Sequence, residues 1–530
     1  MSKSERLTPI VIGVLLGAGV CAVIGFLGYI YWTMRQQEAG PPSGTVTATA
    51  QVLSVATEPA PALDRPTPPA VGPAETQPGS TAQQSPFEVQ PHNVPTATPP
   101  GEEITNPSYL QGKVLYQAEQ YDTVIEVMTS VLQQQPDLAP AYWYRGMGYY
   151  YTENYQAAMA DMEQALALDP NYALGYADRG LLYMVLGDEE RAWADWQKAL
   201  SIDPTLAKVH HNMGALYFNQ NDYHQALAEY TLALSIDPNR SMTWNYHGQI
   251  LLNLGHYDPC IKSADRALEL EPELWDSYYN RGSCKANLGQ YEAAIADLDV
   301  YLNAVPDDAQ GWYNRGLSYR LLGQDQPALS DYTQAIALDP THSWSFINRG
   351  NIYLDLAEYD LALADYNAAL QLGQIPRAYL GLGDAQAGLG HYDQAVVAYQ
   401  EAIALRPNYA AAYSHLALLH LDHEQYQQAI EAANQALRLE PGGSDEPITR
   451  QIRGRAYYAM ADYAQAIADL SQAIALNPTQ MDFYYRGLAY QADGQTALAI
   501  ADFELFLAQG GGQDQAKITD AQARLDSLKQ

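Results

Sequence analysis

Pro136, Pro170, Pro204, Pro238, Pro272, Pro306 and Pro340 each stand 34 residues after the one before. The series resumes at Pro407, Pro441 and Pro478, displaced by a one-residue deletion near Gly373 and a three-residue insertion near Ser444. A chain punctuated this way is not one large core. It is an array of short units, each completed by its neighbours. Ten residues after most of these prolines comes a glycine: Gly146, Gly180, Gly214, Gly248, Gly282, Gly316 and Gly350. Twelve further on lies a small residue, Ala158, Ala192, Ala226, Cys260, Ala294, Ala328 or Ala362, and seven later there is usually another Ala.

This spacing predicts two antiparallel helices per unit, each of about a dozen residues. Gly and Ala allow the two backbones to approach closely, and large residues such as Tyr149, Tyr183, Tyr217 and Tyr319 fill the volume beside them. The proline cannot continue the second helix and so sets its end. The chain holds 41 Tyr against 7 Phe and 8 Trp, because the unit that places tyrosine recurs.

The pattern resembles the tetratricopeptide repeat family. One unit shows the family's consensus places in full: Trp312, Gly316, Tyr319, Ala328, Tyr332, Ala335 and Pro340. The resemblance covers about twelve repeats, beginning near residues 105, 139, 173, 207, 241, 275, 309, 343, 376, 410, 447 and 480. The first departs from the pattern, with Val124 and Val131 where Ala is usual, and the last ends in Gly510-Gly511-Gly512 rather than Pro. In residues 513–530, Ile518, Ala521, Leu525 and Leu528 share one face of a polar helix, as a terminal cap requires. The resemblance implies an all-α fold, a right-handed α-solenoid of helix-turn-helix repeats over residues 105–512 with a capping helix at 513–530.

The front of the chain reads differently. Residues 1–6 form a short tail, and no charged residue occurs from Leu7 to Met34. That exceeds the ~20 residues a spanning helix needs and the length of a signal-peptide core, so 7–34 is expected to be a transmembrane helix. Tyr29, Tyr31 and Trp32 gather at one end like an interfacial belt, and Cys21 lacks the small residue expected before a lipidated cysteine. Lys3, Arg6 and the amino terminus precede the span while Arg35 and Glu38 follow, which favours an inside amino terminus and an extracytoplasmic array. Residues 35–104 are rich in Pro, Thr and Ala. Too little apolar surface is available there to offset ordering entropy, so a disordered tether is expected.

Charge narrows the partners. With 28 Lys and Arg against 61 Asp and Glu, the net charge of -33 argues against nucleic acid and anionic membrane surfaces. No cofactor is expected, since no Gly-rich phosphate loop, metal-ligand spacing or catalytic constellation occurs, and no residues outside the array could form a catalytic domain. Enzymatic activity is not expected. Cys260 and Cys284 occupy packing places in adjoining repeats, where two small unbonded core residues are the favoured reading and a disulfide the alternative.

The place before the repeat glycine is often Leu in the family and frequently Arg here: Arg145, Arg179, Arg281, Arg315, Arg349, Arg453 and Arg486. Sixteen residues later stand Asp161, Asp195, Asp297, Asp331, Asp365, Asp469 and Asp502. The five repeats without that Arg carry Val127, Glu229, Ser263, Ala398 and Ala432 instead. This covariation predicts structural ion pairs bridging helices, within a repeat or to its neighbour.

In tetratricopeptide proteins the first helix of each repeat lines a concave groove. Two places before the glycine this chain has Asn212, Asn280, Asn314 and Asn348. The resemblance to the substrate-holding superhelix of O-GlcNAc transferases implies that such asparagines hydrogen-bond the backbone of an extended peptide, the alternative being solvated side chains. Tyr279, Tyr313 and Trp344 surround this ladder, with Trp143, Tyr150, Tyr151 and Phe218 earlier. Asp355, Asp384 and Asp422 fall at groove-facing places and, with Asp276, favour a neutral or basic ligand. Lys113 and Lys208 are isolated, so the carboxylate clamp of chaperone-binding members is absent. The expected function is a membrane-anchored protein-interaction scaffold that holds an extended segment of a partner protein. The alternatives are an envelope or secretion component assembling through its outer surface, and an adaptor presenting substrates to a separate enzyme.

Overall fold

A computed structural model of the chain describes residues 106–509 and 515–530. The expected transmembrane helix at 7–34 and tether at 35–104 lie outside the described residues. Among the described residues there are 25 helices and no strand, and no helix is long and apolar enough to cross a membrane.

Helices come in pairs. The first member of a pair spans Ala139–Tyr151, Ala173–Val185, Ala207–Asn219, Ser241–Asn253 or Ala309–Leu321, and the second Tyr155–Leu168, Glu189–Ile202, Tyr223–Ile236, Tyr257–Leu270 or Asp325–Leu338. The last pair, Gln480–Ala492 and Thr496–Ala508, is followed by a single helix, Gln515–Leu528, whose Ala521 and Leu525 are buried against Phe503 and Phe506.

The turn inside a pair is the same each time. The residue after the first helix's cap adopts positive φ, and the next N–H reaches back five residues, as Asp188 N–H does to the Tyr183 carbonyl at 2.8 Å. Glycine fills that place at Gly187, Gly255, Gly289, Gly323, Gly390 and Gly494, whereas Glu119, Glu153, Asn221, Ala357, Glu424 and Ala461 adopt it without glycine's freedom. A tyrosine commonly opens the second helix, as at Tyr155, Tyr223, Tyr257, Tyr291 and Tyr359.

Close approach explains the small residues. A Cβ on Gly316 would sit 3.0 Å from the Asp331 Cβ, and one on Gly383 would sit 2.4 Å from the Tyr399 ring. Ala158, Ala192, Ala226, Ala294, Ala328 and Ala362 are fully buried opposite such glycines. Larger side chains complete each layer: Met162, Trp196, Tyr230, Leu298, Tyr332 and Tyr366 have no exposed surface.

The described chain divides into two compact units, residues 106–288 and 289–530. In the first, Cys260 and Cys284 are joined by a disulfide with Cα atoms 6.5 Å apart. This corrects the favoured reading of two unbonded core cysteines. Both residues are fully buried where the helix Tyr257–Leu270 packs on Trp275–Asn287, and the small-residue contact brings their Cα atoms within bridging range.

Candidate functional site: the polar faces of the first helices

The arginine before the repeat glycine projects across its own pair. Arg145 donates from Nε and Nη2 to the two carboxylate oxygens of Asp161, each at 2.7 Å. The same two-pronged bond joins Arg179 to Asp195, Arg315 to Asp331, Arg349 to Asp365, Arg453 to Asp469 and Arg486 to Asp502, at 2.6–2.9 Å. The aspartate side chains are 4–10% exposed and the arginines 16–20%. A planar guanidinium matches a carboxylate in this geometry, which a lysine could not.

The remaining nitrogen reaches the second helix of the preceding repeat. Arg145 donates to Thr129 at 3.3 Å, Arg315 to Asp299 at 2.8 Å, Arg349 to Thr333 at 3.0 Å and Arg453 to Asn434 at 2.6 Å. Each such arginine therefore clasps three helices. Arg281 pairs with Asp265 at 2.7 Å, again sixteen residues back. Asp297, its expected partner, belongs to the other compact unit. Aromatic rings flank the guanidinium, as Trp312 and Tyr319 flank Arg315 at 4.6 and 5.9 Å.

Two substitutes for the clasp were not legible in the covariation. In the repeat carrying Met213, His210 meets Glu229 at 2.7 Å from one helical turn earlier, and in the next His247 meets the Ser263 hydroxyl at 2.9 Å. Burial pushes the His247 pKa down to about 4, so that contact is neutral at ordinary pH. The signal was the pairing of polar residues across the repeat whatever their type, with a shift of three places allowed for His210.

The asparagine ladder is not an open one. Asn212, Asn280, Asn314 and Asn348 are 1–2% exposed, which corrects the expectation of carboxamides free to hold a peptide. Asn280 donates to the Asn245 side chain at 2.9 Å, and Ser277 donates to the same oxygen at 2.8 Å. Asn348 donates to the Tyr313 hydroxyl at 3.1 Å, and Asn314 accepts from Gln310 at 3.0 Å. Successive first helices pack closely enough to cover this position, and the carboxamides serve contacts between and within repeats. A further buried relay runs through Asp178, which accepts from Trp143 Nε1 at 2.8 Å and from Lys208 at 2.8 Å, joining three consecutive repeats.

The other expected groove residues are placed unevenly. Tyr313 is buried with its ring 4.7 Å from His342, whereas Tyr279 and Trp344 keep part of their surface exposed, Trp344 packing on the cluster around Ile347 and Tyr366. Asp355 is exposed and paired with Arg320, which also meets Asp325 at 2.5 Å. Asp384 accepts from the Tyr399 hydroxyl at 2.7 Å and meets His415 Nδ1 at 2.5 Å. Among the described residues, no group of three His, Cys, Asp or Glu side chains is arranged to hold a metal ion.

Models described as tetratricopeptide repeat or TPR repeat match residues 139–172, 207–240, 248–311, 309–342, 331–371, 383–424, 410–442 and 449–480, together more than half of the chain. The chain belongs to the tetratricopeptide repeat family. No curated protein sequence matches this tetratricopeptide chain. Several solved structures are similar to it. The hetero-tetramer of APC/C subunits Cut9 and Hcn1 is 17% identical over 80% of this chain and 96% of that one, with a TM-score of 0.44. A tetratricopeptide repeat protein from Parabacteroides merdae is 20% identical over 47% and 98%, with a TM-score of 0.39. YrrB, described as having an unusual peptide-binding site, is 24% identical over 35% and 95%, with a TM-score of 0.33.

Proposed function

We propose that this tetratricopeptide repeat protein is a non-catalytic, membrane-anchored scaffold that binds an extended, neutral or basic segment of a partner protein along the first helices of a right-handed solenoid. One observation carries this reading: six arginines of the first helices are drawn into clasps, while acidic side chains such as Asp265 and Asp299 keep about half of their surface exposed. Arg145, Arg179, Arg315, Arg349, Arg453 and Arg486 are largely covered by their aspartates and flanking repeats. With a net charge of -33, the surface left over attracts a cationic chain and repels an anionic one. The half-exposed rings of Tyr279 and Trp344 add rigid apolar contacts within that field.

The Cys260–Cys284 disulfide favours an oxidising compartment for the array, in keeping with an amino terminus inside and the repeats outside. The 28 uncharged residues from Leu7 to Met34 supply the anchor, and residues 35–104 the reach. The test is capture of partners from solubilised membranes by the full chain and by its Tyr279→Ala/Trp344→Ala variant, each in 50 mM and 500 mM salt. A partner released by salt and lost in the variant supports the reading. Partners retained in both settings would place the interaction on the outer helices, as in a structural component of an envelope complex.

A further inference from the structure

We infer that Asp445 and His415 form a proton-operated latch at the joint between the repeat 410–439 and the repeat 446–476, tight in mild acid and loosened as the solution becomes neutral.

The joint differs from its counterparts in this chain. Four residues separate Leu405 from Ala410 and four separate Ile202 from Ala207, but six separate Leu439 from Glu446. Those six include Gly442, at φ +79°, and end at Asp445. Asp445 stands at the cap position of the helix Glu446–Ala459 but has helical backbone angles and caps nothing with its side chain. Pro447 has removed one of the N–H groups a cap would bind. Asp445 is only 7% exposed, and its Oδ1 is buried with no hydrogen-bond partner. Asp308, at the same place before Ala309–Leu321, is more deeply buried still and accepts three bonds: from Tyr301 Oη at 2.9 Å and from the N–H groups of Gln310 and Gly311 at 3.1 and 2.9 Å.

His415 supplies the second half. Its Nδ1 meets Asp384 at 2.5 Å, while its Nε2 is buried without a partner. Asp384, His415 and Asp445 thus lie on three successive repeats, with one orphaned nitrogen and one orphaned oxygen among them. Across the same joint the hydroxyls of Ser414 and Thr449 meet at 2.8 Å. Ser414, Glu440, Gly443, Asp445 and Thr449 line a cavity of about 10 Å³, room for no more than about one water. An ionised Asp445 is therefore neither solvated nor paired in full.

The charges around the pair set the direction. Asp384 and Tyr399 face His415 from the preceding repeat. Glu440 adds negative charge beside Asp445, while Glu446 is occupied by Arg450 and the Gly442 N–H. Burial pushes the Asp445 carboxyl up to about 6, the His415 charge holding it back in part and Glu440 adding to the rise. For His415 burial opposes protonation, but Asp384 outweighs it and the imidazole pKa is raised. Both groups therefore bind a proton more firmly in the folded joint than in the open one. Their stabilisation is present in acid, is lost from Asp445 between about pH 4 and 6, and is lost from His415 as pH rises through its raised value.

Hydrogen exchange on the full chain tests this, with protection factors corrected for intrinsic rates. Amides of residues 446–452, Pro447 excepted, are expected to be protected roughly tenfold more at pH 5 than at pH 8, pH 5 lying one unit below the raised Asp445 value and one pKa unit being a factor of ten. The joint at Asp308, whose carboxylate has three donors, should change less. Asp445→Asn should retain only the part of the pH dependence due to His415, which Asp384 still holds. His415→Gln should retain only the part of the pH dependence due to Asp445. Equal protection of residues 446–452 at the two pH values in the unaltered chain would overturn the latch. So would an Asp445→Asn chain that keeps the full pH dependence.

Discussion

Arg315 and Asp331, sixteen residues apart, face each other through two hydrogen bonds of 2.8 Å, and the same guanidinium reaches Asp299 of the preceding repeat at 2.8 Å. Burial pushes the Asp331 carboxyl up even against this partner, while the guanidinium is held protonated by its two carboxylates in spite of burial. Burial weighs against the charged form of both groups, but the guanidinium has two carboxylate partners, whereas Asp331 has one cation and is repelled by Asp299. Such a pair fixes register more than it adds stability. Asp331→Ala alone should cost up to about 3 kcal/mol, because it leaves a largely covered cation with only the exposed Asp299 as partner. Arg315→Leu combined with Asp331→Ala should cost less. Urea unfolding of the two variants checks this, and equal losses would contradict the pairing.

The buried tyrosine hydroxyls divide into two kinds. Tyr366 donates to Asn351 at 2.7 Å, whereas the Tyr332 hydroxyl is buried with no partner. Tyr366→Phe should destabilise by about 1 kcal/mol, and Tyr332→Phe should be neutral or stabilising by a similar amount. Thermal unfolding of the two single variants distinguishes them.

The turn between paired helices holds Ala357 at φ 58° where other repeats have glycine, such as Gly323 at φ 72°. A Cβ in that region costs about 1–2 kcal/mol, partly offset by glycine's greater freedom in the unfolded chain. Ala357→Gly should therefore raise stability by up to about 1 kcal/mol, and Gly323→Ala should lower it by about as much, again read from urea midpoints.

Asn280 offers a sharper test of the buried ladder. Asn280→Ala leaves the Asn245 carboxamide short of a donor in a covered site and should cost about 1–3 kcal/mol. A side chain that merely lined an open groove would give a change near zero.

The helix pairs and the clasps were legible because each depends on residue types that few others replace: Gly and Ala at close approach, Pro at a stop, Arg opposite Asp. What the chain did not disclose was how tightly successive first helices pack. Periodicity places Asn280, Asn314 and Asn348 on one face of their helices but cannot tell whether the neighbouring repeat covers that face. The same ignorance hid Asp178 between Trp143 and Lys208, and the Asp384–His415 contact, since both pairings cross repeats with no fixed spacing. Cys260 and Cys284 were ambiguous for a related reason. Two packing positions in adjoining repeats are compatible with contact or with a bond, and only the Cα separation of 6.5 Å separates them.

The proposed function puts a partner segment along the first helices of the array. It is tested most directly by placing a photo-crosslinking residue in the full chain in native membranes, at Trp344 on a first helix or at Leu361, which is 47% exposed on a second helix. A protein crosslinked from position 344, lost in 500 mM salt and absent from position 361, is the predicted result. Crosslinking from position 361 with none from 344 would contradict it.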